Sequence, residues 1–159
     1  MTRDINGEES ISKALLELMQ SCPLITDSPT FASLDDTGIA IYPTGGSAVT
    51  AQRKSITNHV WQRCAYPFAV VCRDYGRNET RKMDAKELLD NIGKWLERQA
   101  ITIDGTLYQL TEYPQLTDGR EIETIARTST ASQEAVTEDG GAVWSIAARI
   151  DYTAEYDEP

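Results

Sequence analysis

The sequence predicts an α+β fold built from helices and antiparallel hairpins. Three patterns lead to this prediction. Residues 11–22 and 84–99 place apolar side chains at helical spacing, whereas residues 142–156 alternate apolar and polar side chains as a half-buried strand does. Turn signals between neighbouring β-like segments predict hairpins.

Length and composition predict one soluble domain. The chain has 159 residues, 40% of them hydrophobic and 25% charged, and its longest apolar runs fall well short of the roughly 20 residues that cross a bilayer. The N-terminus lacks the apolar core of a secretory signal, so we expect a cytoplasmic protein. Its three cysteines, Cys22, Cys64 and Cys72, have no C-x-x-C spacing and should be reduced, buried side chains rather than disulfide or zinc ligands.

The net charge of -10 is unevenly distributed along the chain. Residues 53–98 contain ten basic and six acidic residues, whereas the remainder contains five basic and nineteen acidic residues. Either these are solvated faces without a partner, or surfaces of opposite sign meet between neighbouring copies. A protein this acidic is a poor candidate for DNA binding, because affinity for phosphates comes mainly from Lys and Arg.

The first half of the chain predicts one helix and one hairpin. An amphipathic helix is expected over residues 8–22, ended by Pro23, followed by a loop over residues 23–37 and a short β segment at 38–42. A central β-hairpin is expected over residues 48–75. Pro67 lies inside its second strand and cannot donate to a ladder, so that strand should be broken or bent there.

The second half predicts a capped helix and a long terminal hairpin. Asp84 as N-cap, Glu87 as its capping-box partner and the contact of Met83 with Leu88 predict a helix over residues 84–99. Residues 101–110 add a short β segment. A hairpin is expected over residues 121–156, whose last strand would rise about 50 Å at about 3.3 Å per residue. Such a strand should bend or extend past the body of the domain.

The residues that carry chemistry form no convincing reaction centre. His59 is the only histidine, and the acyltransferase pattern H-x-x-x-D would need an aspartate where Arg63 stands. A nucleophilic pair of His59 with Cys64 or Cys72 requires side chains that a single strand does not bring together. Thr44-Gly45-Gly46-Ser47 predicts a plain turn rather than a phosphate loop. The carboxylates should be solvated surface charges rather than metal ligands: Asp35, Asp36, Asp139, Asp157 and Glu158. Core packing explains Trp61, Trp95 and Trp144 better than base stacking does. No catalytic, cofactor-binding or metal-binding residue is assigned.

The order of elements resembles a known family. The helix containing Trp95 is followed by Tyr113-Pro114-Gln115-Leu116, Gly119, Ile125, an acidic glycine turn, and a last strand containing Arg149-Ile150-Asp151-Tyr152. This pattern is similar to that of the minor capsid and tail-terminator (head-tail joining) proteins of siphophages and of prophages in Gram-positive bacteria. That family tends to carry an aromatic-Asp-Gly hairpin tip, where this chain has Lys54-Ser55-Ile56-Thr57-Asn58.

The resemblance implies a fold and a role. It implies an α+β fold with two principal helices on one face of a mainly antiparallel sheet, and a ring, commonly of six subunits, between head connector and tail tube. It implies no enzyme activity and no cofactor. The partners would be further copies of the chain, connector proteins and tail-tube proteins, without sequence-specific DNA binding and without a membrane.

Two surfaces are the expected subunit interface. A long strand can pair edge to edge with a neighbouring copy, and the basic segment can meet an acidic surface. A small cytoplasmic adaptor, or another phage connector that binds its partner as a monomer or dimer, is the alternative, and an acyl-transfer enzyme comes third. The expected interface residues are Arg53, Lys54, Arg73, Arg77, Trp144, Ile150, Tyr152 and Tyr156.

Overall fold

The computed structural model describes most of the chain in eight stretches. They are residues 8–25, 30–31, 39–45, 48–74, 79–103, 105–116, 119–136 and 142–158. Within them lie two helices, α1 (Glu8–Gln20) and α2 (Glu79–Leu96). The described strands are β1 (Thr30–Phe31), β2 (Ile39–Pro43), β3 (Ala48–Lys54), β4 (His59–Asp74), β5 (Ile101–Ile103), β6 (Thr106–Tyr108), β7 (Arg120–Arg127), β8 (Ser132–Val136) and β9 (Ala142–Asp157).

Two strands of 16 residues each, β4 and β9, form the centre of a seven-stranded sheet. They pair antiparallel along their whole length, from His59 opposite Asp157 to Asp74 opposite Ala142. β2 and β3 pair with the other side of β4, while β7 and β8 pair with the other side of β9. Among the described pairs only β1 with β2 is parallel. The predicted α+β fold with a mainly antiparallel sheet is confirmed.

The long terminal strand exists, but it is not a sheet edge. β9 is flanked by β4 on one side, and on the other by β7 up to Ala154 and by β8 down to Ala142. Edge-to-edge pairing of β9 with a neighbouring copy is therefore excluded over most of its length, and that expectation was wrong. The first strand of the hairpin predicted over residues 121–156 is split in two, because β7 ends at Arg127 and β8 begins at Ser132.

Pro67 does not break β4. The register between β4 and β9 continues through Pro67 opposite Arg149 without a shift. The carbonyl oxygen of Pro67 accepts a hydrogen bond from the amide of Thr44, at the point where the partner of β4 changes from β2 to β3. In an antiparallel strand the nitrogen of a residue faces the same side as its carbonyl. The missing N–H of Pro67 therefore faces this interruption, where a ladder bond is not needed, and the predicted break was wrong.

Both helices cover the same face of the sheet. Alternate residues of the central strands, such as Phe68 and Ile150, are buried on that face. The hydroxyl of Ser12 on α1 lies 2.8 Å from that of Tyr66, and a Cβ added to Gly93 on α2 would lie 3.1 Å from the Cδ1 atom of Ile146. One hydrophobic cluster joins α1, α2 and the sheet: its largest fully buried side chains are Ile11, Leu15, Met19, Ile41, Tyr66, Phe68, Leu89, Ile92, Leu96, Ile125, Ile146 and Tyr152.

The second helix begins earlier than its capping signal predicts. α2 starts at Glu79, so Asp84 lies inside the helix and the predicted start was wrong. The residues before Asp84 include Glu79, Arg81 and Lys82, which are strong helix formers. The acid Glu79 also lies at the N-terminus of the helix, the positive end of the helix dipole. The other end closes with a Schellman motif. Arg98 is left-handed (φ 64°), and the amides of Arg98 and Gln99 donate to the carbonyls of Trp95 and Lys94.

Candidate functional site

The structure separates the residues of the considered Cys-His pairs. His59 lies at the exposed end of β4, whereas Cys64 and Cys72 are buried on the face that the helices cover. An odd and an even position of one strand point to opposite faces, so His59 and Cys64 do not converge. Burial raises the pKa of the Cys64 thiol, and it raises that of Cys22 to about 11. Neither thiol is poised as a thiolate nucleophile at neutral pH.

His59 instead bridges the ends of the two central strands. Its Nδ1 atom lies 2.8 Å from Oδ1 of Asp157, and its Nε2 atom lies 3.5 Å from Oε2 of Glu155. The hydrogen bond with Asp157 is the main cause that raises the pKa of His59 above 6.5. This cluster was not predicted, because it depends on the β4–β9 register, which local sequence patterns do not reveal.

The other candidate residues for chemistry either form a turn or an ion pair, or lie outside the described residues. Thr44 and Gly45 form the start of the connection from β2 to β3, with Gly45 next to Pro67. Glu158 pairs with Lys54 at 2.5 Å. Within the described stretches no group of three or more His, Cys, Asp or Glu side chains is arranged to hold a metal ion. The candidates outside those stretches are Asp35, Asp36, Gly46, Ser47 and Asp139.

The predicted interface residues divide into exposed and buried ones. Arg53 and Lys54 are exposed, Tyr156 is 37% exposed, and Trp144 is half-buried. Ile150 and Tyr152 are 0% exposed, because both face the helices, so they offer no surface to another copy and their assignment was wrong. The side chain of Arg73 and the whole of Arg77 lie outside what the structure describes.

The exposed interface residues belong to one projection, which we call the arm. The arm consists of β3, the turn over residues 55–58, residues 59–63 of β4 and residues 153–157 of β9. We call the rest of the sheet with α1 and α2 the body. Ile56 at the tip of the arm is fully exposed, and Val49 on β3 is 39% exposed. Ile56 was not among the predicted interface residues, although it is a single apolar residue inside the polar run Lys54-Ser55-Ile56-Thr57-Asn58.

Side-chain contacts across three strands stiffen the arm. The guanidinium of Arg53 lies 4.5 Å from the ring centroid of Trp61, and that of Arg63 lies 5.6 Å from the same ring. Arg63 also approaches Glu123 of β7 at 3.5 Å. Each exposed cation–π contact stabilises by about 0.5–1 kcal/mol. These contacts link β3, β4 and β7, while Val60 and Ala154 of the arm are buried.

A cleft lies beside β7 and reaches the base of the arm. It is lined by residues 112–116, by residues 120–123 of β7, by Arg98, and by Trp61, Thr153 and Glu155 of the arm. The hydroxyl of Tyr113 donates to the carbonyl of Leu96 at 2.8 Å and accepts from the amide of Ile125 at 3.3 Å. Burial is the main cause that raises the pKa of Tyr113.

The outer edge of β7 is covered by side chains from the body. Besides Tyr113, Glu97 at the end of α2 accepts a hydrogen bond from the amide of Arg127 at 3.0 Å and pairs with its guanidinium at 2.8 Å. These contacts occupy the amides of Ile125 and Arg127, which a further strand would need at this end of β7.

Comparisons with known proteins add little to this geometry. No family model matches the chain, and no curated protein sequence matches it. One solved chain that is similar in fold comes from the virion of a native gene transfer agent (GTA) particle. Its sequence is 12% identical, the match covers 96% of this chain and 100% of the other, and the TM-score is 0.45. Among the described helices none is long and apolar enough to span a membrane.

Proposed function

We propose that the chain is a structural subunit of a phage or prophage virion, a tail-terminator or head-tail joining protein that assembles into a ring. The ring would lie between the head connector and the tail tube. It would form in the host cytoplasm and remain at the head-tail junction or tail end of the virion. The role is non-enzymatic and requires no cofactor.

The observation that carries this proposal is the arm. Strands β3 and β4 are joined by a turn whose apolar residue, Ile56, is fully exposed, and β9 runs beside β4 to the same end of the sheet. An exposed aliphatic side chain on a rigid support gains free energy when a partner buries it, at about 25 cal/mol per Å². Trp61 and Arg53 beside it are residue types that are enriched in protein interfaces.

The charge of the chain supports a passive relation to DNA. With a net charge of -10, the chain has too few cations to neutralise many phosphates. A ring of such subunits would repel the DNA backbone and let it pass through the channel. The resemblance of the sequence to tail-terminator proteins supports the same role.

The purified full-length chain tests the proposal. Native mass spectrometry and negative-stain electron microscopy should show closed rings whose subunit number is constant as concentration rises. Measurements from roughly 1 μM to 1 mM cover association free energies of about -8 to -4 kcal/mol. Monomers alone over that range would contradict a ring-forming subunit.

A further inference from the structure

We infer that neighbouring copies meet head to tail, with the arm of one copy docked against the β7 edge of the next. The inference rests on the proposed ring, and it names the two surfaces that meet. The occupant of the β7 cleft would be the arm of a second copy of this chain.

The two surfaces lie at opposite edges of the same sheet. At the arm the strand order is β3, β4, β9 and β7, so three strand spacings of about 4.8 Å separate the outer strands. Arg53 on β3 and Glu121 on β7 both occupy the face without helices, because they align with Trp61 and Thr153 of that face. A copy can therefore offer one edge to each of two neighbours.

The two edges differ in charge. Arg53 stacks on Trp61 and has no carboxylate partner among the described residues, whereas the neighbouring Lys54 pairs with Glu158. The cleft at the other edge is acidic on balance, because its lining contains four acids and two arginines: Glu112, Glu121, Glu123, Glu155, Arg98 and Arg120. Complementary charges orient two surfaces and exclude wrong pairings, because like charges in contact cost several kcal/mol.

Apolar surface lies beside the charges on both edges. The arm contributes Ile56 and Val49, and the lining of the cleft includes Pro114 and Leu116. The backbone of β3 is a poor template for another strand, because a bulge lies between Val49 and Ala51 and its end is basic. Side chains therefore make the contact, with Ile56 as the apolar anchor.

Contact between two different surfaces determines the symmetry. A two-fold contact between two β3 edges would bring two basic surfaces together, which opposes that arrangement. A head-to-tail contact leaves one free surface of each kind at the ends of a chain of subunits. Such an assembly closes into a ring when the rotation between neighbours allows it.

Charge reversal at each edge tests the inference. The arm variant is Arg53→Glu, and the edge variant combines Glu112→Lys with Glu121→Lys. Matched controls lie on exposed helix positions: Lys13→Glu changes the charge as the arm variant does, and Glu17→Lys combined with Glu87→Lys changes it as the edge variant does. Sedimentation velocity gives the assembly of each protein alone and of the two variants mixed in equal amounts, and circular dichroism verifies that each is folded.

Each reversal alone should raise the apparent dissociation constant at least about tenfold, while the controls assemble as the unmodified chain does. The mixture should recover assembly, because the acidic arm of one variant faces the basic edge of the other. Variants that still form rings alone would overturn the inference and leave the proposed ring intact. Loss of assembly without recovery in the mixture would overturn it too. An unmodified chain that stays monomeric would contradict both the inference and the ring.

Discussion

The two ends of the β4–β9 pair are stabilised by different forces. In the body, side chains such as Phe68 and Ile146 are buried beneath α1 and α2. In the arm, exposed ion pairs link the ends of the strands: His59 of β4 pairs with Asp157 of β9, and Lys54 of β3 pairs with Glu158. Exposed ion pairs contribute only about 0–1 kcal/mol each, whereas burial of a large apolar side chain contributes about 1.5–3 kcal/mol.

This difference separates folding from assembly. Substitutions in the body should lower the free energy of unfolding, and assembly would change only because the subunit unfolds. Substitutions at the surface of the arm should leave the fold intact and change the contact between subunits. The expected effects on stability therefore decrease from the core of the body to the tip of the arm.

The largest loss of stability is expected for Phe68→Ala. Phe68 is fully buried between the sheet and the helices, so its removal leaves a cavity and should cost about 3–5 kcal/mol. Urea unfolding followed by circular dichroism measures this cost. Ile56→Ala is the control in the arm and should change the free energy of unfolding by less than about 0.5 kcal/mol. Equal costs at the two positions would contradict the division between body and arm.

A smaller loss is expected for Gly93→Ala, where α2 packs against the sheet. Its new methyl group would collide with the side chain of Arg127, which Glu97 fixes, and would press on Ile146. Overpacking costs about 1–3 kcal/mol, and the better helix propensity of Ala offsets about 1 kcal/mol of it. Thermal unfolding should show a net loss that shrinks in an Arg127→Ala background. The same loss in both backgrounds would contradict the collision with Arg127.

The smallest effect on folding is the pH dependence that His59 gives to the arm. Because its pKa is raised above 6.5 in the folded state, His59 contributes most stability below that pH. This contribution is lost as the pH rises through the folded-state pKa. Urea unfolding of the unmodified chain and of His59→Gln should therefore give free energies that differ most at low pH and converge at high pH. Parallel pH profiles would contradict the His59–Asp157 contact.

Local periodicity was enough to predict much of the body. Alternation over residues 142–156 predicted β9, and helical spacing of Ile11, Leu15 and Leu18 predicted α1, because each pattern reflects burial on one face. The start of α2 was missed because a good capping residue, Asp84, also fits inside a helix whose preceding residues are strong helix formers.

The features that depend on strand pairing were not predictable in the same way. The continuity of β4 through Pro67 depends on where β2 gives way to β3, and the burial of Ile150 and Tyr152 depends on which face the helices cover. Alternation shows that one face of a strand is apolar, but it does not tell whether this chain or another copy covers it. For Ile150 and Tyr152 the chain's own helices do.

Sedimentation velocity of Ile56→Asp beside the unmodified chain tests the central claim most directly. Ile56 is fully exposed, so the variant should melt at the same temperature as the unmodified protein. A carboxylate in place of the apolar anchor should nevertheless abolish assembly, because a buried unpaired charge is costly. We therefore predict folded monomers. Assembly equal to that of the unmodified chain would contradict the role of the arm.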